Sequence, residues 1–220
     1  MKLSKIASAL TVAGVLATSL PANASSALFS GFGLPSSDAL LTGATVVDFT
    51  SLTAGIYTSL TTGNVTFGGG GGSFVITNNL GGDYNTQGRN LQNLHGQGST
   101  TILDFTFASP VSAFGFNFGA SNEDWSLAIY DAANNIIESQ ILNQTWFSNA
   151  GDYFGMATSG IASARLTQLT HVNDAGADWI LLDNFSYVGR NNVPEPETLL
   201  LSGLGLFALA ASRRRKMKQR

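Results

Sequence analysis

The sequence predicts an all-β body, an antiparallel β-sandwich of the jelly-roll type, flanked by an N-terminal signal helix and a short C-terminal transmembrane helix. The 220-residue chain contains 25 Gly and 14 Phe together with many Thr, Asn and Ser, a composition of strands and turns. Apolar residues alternate with polar or small ones in several short runs bounded by turn residues. No long helical periods separate these runs, which argues against a parallel βαβ fold.

The N-terminal segment has the three parts of a secretory signal peptide. Two lysines supply positive charge, Ile6–Leu20 is apolar and small, and Ala22 and Ala24 flank a small-x-small cleavage site. We therefore expect export and removal of residues 1–24 by signal peptidase.

The body, predicted as residues 25–192, has the length of one domain. Alternation is clearest in VSAFGFNFGAS and DWSLAIY, and DAANN after the second run predicts a hairpin turn into IIESQIL. The glycine run Gly68–Gly72 lacks the Lys-Ser/Thr ending of a phosphate-binding loop and predicts a strand connection. Further strands, eight or nine in all, are predicted in ATVVDFTS, NVTFG, SFVITNN, TTILDFTFA, SARLTQLTHV and ADWILLDNFSYV.

Charge and cysteine content exclude several function classes. Eight of the eleven basic residues lie in the terminal segments, which leaves the body three arginines against twelve acidic residues, a formal charge of minus 9. This charge argues against nucleic acid or anionic lipid as a partner of the body. The absence of cysteine excludes a disulfide framework, a thiol nucleophile and a thiolate metal site.

The sequence shows no catalytic constellation, and we expect a protein that is not an enzyme. His95 and His171 have no nucleophile elbow beside them. The alternative that stays open is a secreted, glycosidase-like hydrolase with a dispersed active site, for instance around Glu123, Asp124 and His171.

Calcium is the metal that the body accommodates best, because this ion accepts carboxylate, amide and carbonyl oxygens from irregular loops. The candidate ligands are Asp48, at the start of the first core strands, and Asp183 with Asn184, at the end of the last. Phe49 and Phe185 would anchor adjacent strands and hold both acids near one edge. The alternative is that these acids cap turns.

An acidic, Asn-rich sandwich with aromatic residues suits carbohydrate binding, because rings stack on sugar faces and amides bond to hydroxyls. Trp125 and Trp179 are predicted to lie in the core. Trp146, in an Asn, Gly and Asp-rich stretch with Tyr153 nearby, is the candidate ligand platform. The alternative for this stretch is a loop packed over the end of the sandwich.

The C-terminal segment, residues 193–220, combines three features. Two prolines keep its start extended. The apolar run Thr198–Ser212 has 15 residues, about 22 Å as a helix against roughly 30 Å for the hydrocarbon core, and is a marginal span. The basic tail, residues 213–220, predicts a cytoplasmic C-terminus. Its topology-setting cluster is Arg213, Arg214, Arg215 and Lys216.

The tripartite order of Val193, Pro194, Glu195 and Pro196, an apolar run and a basic end resembles the PEP-CTERM sorting signal of Gram-negative bacteria. The resemblance implies transient anchoring in the membrane, recognition by exosortase, removal of the tail and delivery to the cell surface or to the exopolysaccharide matrix of a biofilm.

The body resembles β-sandwich modules that are similar to carbohydrate-binding jelly rolls. The resemblance lies in VVDFTS, the phenylalanine strand, the hairpin after DWSLAIYD, and the closing LDNFSY. It implies binding of extracellular polysaccharide as the expected activity, without assigning ligand residues.

Overall fold

A computed structural model describes residues 27–93, 100–169 and 178–189. In these ranges the chain is all-β, as predicted, and no helix there is long and apolar enough to cross a membrane. The predicted signal peptide and sorting tail lie outside the described residues. The strands are β1 (Ala27–Phe32), β2 (Thr45–Val47), β3 (Gly55–Tyr57), β4 (Ser59–Thr62), β5 (Val65–Gly68), β6 (Phe74–Thr77), β7 (Asn90–Gln92), β8 (Ile102–Gly119), β9 (Trp125–Tyr130), β10 (Ile136–Leu142), β11 (Asp152–Gln168) and β12 (Leu181–Gly189), with 3-10 turns at Pro35–Ser37 and Ala39–Leu41.

All strand pairs are antiparallel, and the main path is β10-β9-β11-β8-β12-β7-β6-β3. Two long strands, β8 and β11, take part in both halves of the sandwich. Residues 102–106 of β8 and 163–167 of β11 pair with each other within a first sheet, β4-β5-β8-β11-β9-β10. Their other halves pair within a second sheet that also holds β1, β12, β2, β7, β6 and β3. Register shifts in β11 between Ala157 and Ser163 mark the passage between the sheets, as β-bulges do.

Phenylalanine rings fill the space between the two sheets. The Phe185 ring centroid lies 5.0 Å from Phe105 and 5.1 Å from Phe67 of the first sheet. Phe114 and Phe116 of the second sheet lie 5.8 and 6.0 Å from the same ring. The predicted alternation is confirmed, because the three phenylalanines of VSAFGFNFGAS and the residues Trp125, Leu127 and Ile129 are fully buried.

The outer face of the second sheet is also covered, which alternation did not predict. Gly115 faces away from the phenylalanine core, yet a Cβ there would lie 3.2 Å from Leu41 Cδ1. A Cβ at Gly155 on the neighbouring strand would overlap the Phe29 ring. These glycines let the Phe29 side chain of the paired strand β1 and the turn that ends at Leu41 pack closely on the outer face of the sheet.

Turn predictions agree with the structure. In the β9–β10 hairpin the Asp131 carboxylate accepts hydrogen bonds from the backbone N–H of Ala133 at 2.9 Å and Asn135 at 2.8 Å. Asn134 adopts a φ of 63°, which asparagine tolerates better than most residues. The run Gly68–Gly72 connects β5 to β6, which pair with different neighbours.

The predicted number of strands, eight or nine, was too low. The structure has twelve in the described ranges. β1, β3, β4 and β7 were missed because they are short or lack alternation, and TTILDFTFA and VSAFGFNFGAS are parts of the single strand β8.

Candidate functional site

A cleft of about 240 Å³, here called the amide cleft, opens where the loops before β7 and β11 meet the end of β1. Five of its lining side chains carry a carboxamide, a group that both donates and accepts hydrogen bonds. The cleft is lined by Gly33, Leu34, Gly82, Asn85, Thr86, Gln87, Asn117, Asn149, Ala150, Gly151 and Asn184.

Asn117 forms the floor of the amide cleft and joins the segments around it. Its Nδ2 donates to the carbonyl oxygens of Gly33 and Gly151, each at 2.9 Å. Its Oδ1 accepts from Asn184 Nδ2 at 2.9 Å. Asn117 is 1% exposed, so these bonds fix the floor rather than contact solvent.

Asn85 and Asn149 bind the two loops that form the walls. Asn85 donates from Nδ2 to the Phe118 carbonyl at 2.9 Å and accepts at Oδ1 from the Gly151 N–H at 2.8 Å. The Tyr84 N–H donates to Asn149 Oδ1. Tyr84 and Asn85 both have positive φ, 50° and 65°, and the buried bonds hold this uncommon backbone in place.

Three polar groups of the amide cleft are left for a ligand. The Gln87 side chain is exposed, and within the described ranges neither its amide nor Asn149 Nδ2 nor Asn184 Oδ1 makes a hydrogen bond. Two donor amides and one acceptor oxygen suit a ligand with hydroxyl groups, which can both accept and donate.

Trp146 and Phe147 form a stacked aromatic pair in the loop that supplies Asn149. Their ring centroids are 5.0 Å apart with an interplanar angle of 18°, and the side chains are 49% and 78% exposed. The adjacent Thr145 N–H donates to the Ser121 carbonyl at 3.0 Å, which anchors the loop. Exposed rings on an anchored loop give a sugar a flat apolar surface.

Tyr153, the second predicted platform residue, lies elsewhere. It is 8% exposed, and its hydroxyl donates to Asp38 Oδ2 at 2.9 Å. Its ring packs against Phe29 at 6.4 Å. This placement speaks against a stacking role, because pairing of β1 with β11 places the Tyr153 ring against Gly31, although Tyr153 is close to Trp146 in sequence.

The calcium candidates Asp48 and Asp183 are neighbours, because β2 pairs with β12 and places Val47 opposite Phe185. The Asp183 carboxylate is 1% exposed and accepts from the N–H of Gln87 at 2.8 Å and of Asn184 at 2.7 Å. Burial, with a smaller contribution from the charge of Asp48, raises the pKa of Asp183 to about 7. In the described ranges no group of three or more His, Cys, Asp or Glu is assembled, so any cation here would rely on two carboxylates and on carbonyl or water oxygens.

Asp178, which lies shortly before the start of β12 at Leu181, has a structural role. Its carboxylate accepts from Trp125 Nε1 at 2.8 Å and from the N–H of Glu123 at 3.2 Å. Burial raises its pKa, against the effect of these bonds.

Trp125 is in the core as predicted, whereas Trp179 is half-buried beside Tyr84. Both histidines lie outside the described residues.

Asn85, Asn117 and Asn149 were not predicted as site residues, whereas Asn184, which also lines the cleft, was predicted as a calcium ligand. Asn117 belongs to the run VSAFGFNFGAS, where alternation predicts only that it lies opposite the phenylalanine face, and Asn149 stands in the stretch selected for Trp146. Asn85 carried no signal beyond its turn-rich neighbourhood, because only the strand register brings the three together.

Comparisons with solved structures give distant likenesses. A DUF4465 family protein from Bacteroides caccae ATCC 43185 is 12% identical, with a TM-score of 0.39, over 73% of this chain and 100% of its own. A DUF4465 family protein from Bacteroides ovatus ATCC 8483 is 11% identical, with a TM-score of 0.32, over 74% and 98%. A family 29 carbohydrate-binding module is 8% identical, with a TM-score of 0.30, over 74% and 90%.

No curated protein matches the chain. The PEP-CTERM protein-sorting motif matches residues 192–216, the segment whose Pro-Glu-Pro, apolar and basic parts predicted it. The chain therefore carries a PEP-CTERM sorting motif, which marks an exported protein held in the membrane by its C-terminal segment before exosortase processes it.

Proposed function

We propose that this protein works at the cell surface or in the extracellular matrix as a non-catalytic module that binds polysaccharide in the amide cleft. Signal peptidase would remove residues 1–24, and exosortase would remove the sorting tail, which lies in residues 193–220. The body, residues 25–192, would remain. The observation that carries the proposal is the exposed Trp146–Phe147 pair on the same loop that supplies Asn149 and Ala150 to the cleft.

The chemistry of the cleft favours an uncharged sugar. The residues that line it are amides, glycines and small or apolar groups, without a basic side chain among them. The body as a whole has a formal charge of minus 9, from three arginines and twelve acids, and would repel a polyanion. Hydroxyl groups can pair with Gln87, Asn149 and Asn184 while the ring pair covers an apolar sugar face.

Replacing both Trp146 and Phe147 by alanine is expected to weaken polysaccharide binding about tenfold or more, because the stacking surface is lost. The measurement is affinity electrophoresis of the purified protein through gels that contain a β-glucan, a galactomannan or a xylan. Ile56→Ala is the matched control, because it removes another exposed apolar side chain, 55% exposed, away from the amide cleft. Failure of the wild-type protein to bind any polymer would contradict the proposal, and release of reducing ends would contradict its non-catalytic part.

The buried Asp183 predicts an unusual pH dependence of stability. Its pKa is about 7 in the folded state against an ordinary value of 3.8, so the folded state holds the proton more tightly. The stability it contributes is complete below its unfolded pKa and is lost as pH rises through about 7. In the presence of a chelator, the contribution of Asp183 to the free energy of unfolding should fall by about 2 to 3 kcal/mol between roughly pH 5 and pH 8.

Urea denaturation gives the free energy of unfolding of the wild type and of Asp183→Asn across this pH range, and the effect is the difference between their slopes against pH. Equal slopes for the two proteins would contradict the raised pKa of Asp183. The same experiment tests the predicted calcium ion, which stays a prediction. An ion bound by Asp48 and Asp183 would stabilise the wild type at the upper end of the range when calcium is added, and would not stabilise Asp183→Asn. A calcium-independent wild type would exclude it.

A further inference from the structure

A second groove crosses the outer face of the first sheet, away from the amide cleft. It consists of two adjoining cavities of about 250 and 420 Å³ that share Thr106, Asn134 and Ser163. The turn of the β9–β10 hairpin borders it, and the groove continues past Pro110. We call this the sheet groove.

Strand register places a row of hydroxyl groups across the sheet groove. Thr106 lies opposite Thr66 on one side and Ser163 on the other, and Ser163 lies opposite Tyr130. These side chains point outward, because the residues that alternate with them, such as Phe105 and Ala164, are buried in the core. Three neighbouring strands thus line the groove with hydroxyls, those of Thr106, Ser163 and Tyr130, at the spacing of the strands, about 4.8 Å. The Thr66 hydroxyl on the next strand is hydrogen-bonded to Thr61 at 2.9 Å.

An ion pair closes one end of the sheet groove. Arg165 Nε and Nη2 donate to the two oxygens of Asp104 at 2.6 and 3.1 Å, and the pair is half exposed on the arginine side. On the neighbouring strand the residue opposite Asp104 is Gly68, so no side chain covers the carboxylate from that direction. The bidentate ion pair fixes the orientation of both side chains, and their remaining donors and acceptors face solvent.

We propose that the sheet groove is a second glycan-binding site, which takes an uncharged polysaccharide chain. The inference rests on the proposed function and extends it from one site to two. The Asp104–Arg165 pair is neutral overall, so it offers hydrogen bonds to hydroxyls without selecting a charged polymer. The rest of the lining is hydroxyl, amide and apolar groups with one carboxylate, Asp131, which accepts hydrogen bonds from its own hairpin turn. A groove with this extra negative charge suits a neutral sugar chain better than an acidic polymer.

The two sites lie on different parts of the same strands. On β8 the sheet groove begins at Asp104 and Thr106, while the amide cleft uses Asn117, eleven residues further on. The two sites share no lining residue. One molecule can therefore hold two polymer chains at once, and two-site attachment cross-links a polysaccharide and raises avidity.

The test compares the wild type with a sheet-groove variant, Asp104→Ala with Arg165→Ala, which keeps the net charge. An exposed pair contributes little stability, and thermal melting checks that the variant is folded. Asn134→Gly is a second variant, because glycine keeps the positive φ of the hairpin turn and removes only the amide. Thr45→Ala, which removes an exposed hydroxyl from the second sheet, is the control.

The probes are a soluble β-glucan, a galactomannan, a xylan and, as an acidic polymer, alginate. We expect the wild type to cross-link a neutral polymer, seen as increased light scattering. The sheet-groove variants should still bind the polymer, about tenfold more weakly, but should not cross-link it. The same result is expected for the Trp146→Ala/Phe147→Ala variant.

Each other outcome separates the two proposals. Sheet-groove variants that bind and cross-link like the wild type would overturn the second site and leave the amide cleft standing. A wild type that binds without cross-linking would overturn it as well. Preference for alginate would overturn the ligand class, and absence of binding to every polymer would overturn both proposals.

Discussion

Replacing Pro194, Glu195 and Pro196 by alanine is expected to leave the protein unprocessed in the membrane fraction of a host that contains exosortase. The three residues open the sorting motif that matches residues 192–216. The two prolines are predicted to keep the chain before the apolar run extended, and an extended segment beside the membrane is what a processing enzyme can bind. Alanine at these positions is expected to favour helix there and removes the side chains of the motif.

The measurement is the electrophoretic mobility and fractionation of the protein from cells and medium. Glu197→Ala is the matched control, because it changes an adjacent acid outside the Pro-Glu-Pro motif and should be processed normally. Equal release of the triple variant and the wild type would show that these residues do not direct processing.

Phe185→Ala is expected to lower the free energy of unfolding by about 4 kcal/mol, within the range for removal of a buried ring. Phe185 is fully buried and has the rings of Phe67 and Phe105 from the first sheet at 5.1 and 5.0 Å. Its loss leaves a cavity at the point where the two sheets meet, and neighbouring rings on paired strands have little freedom to fill it.

Urea denaturation of the purified protein measures this change. Phe147→Ala is the control of equal chemistry, because the same ring is removed from a site that is 78% exposed, and it should alter stability by no more than about 0.5 kcal/mol. Similar losses for the two variants would contradict the placement of Phe185 at the centre of the core.

The sequence carried enough information for the core and the fold class because both depend on local alternation. The rings of VSAFGFNFGAS and DWSLAIY are buried as their period of two predicts. The proximity of Asp48 and Asp183 was also predictable, since Phe49 and Phe185 each anchor an acid-bearing segment and both rings contact Phe67, at 5.3 and 5.1 Å.

The covered outer face and the amide cleft were not predictable, because both depend on register between distant segments. Gly115 and Gly155 gave no sign that the side chains of Phe29 and Leu41 would cover them until the pairing of β1 with β11 was known. Asn117, Asn85 and Asn149 come together through one strand and two separate loops. Tyr153 shows the converse, because closeness to Trp146 in sequence does not place two side chains on one surface when a strand begins between them.

The most direct test of the proposed function is a titration of the isotope-labelled protein with a soluble neutral oligosaccharide, followed by NMR chemical shifts. We expect the indole N–H of Trp146 and the amide resonances of Gln87 and Asn149 to move together and to saturate. If these resonances stay in place at saturating sugar while the protein is folded, the amide cleft is not a carbohydrate site and the proposed function is wrong.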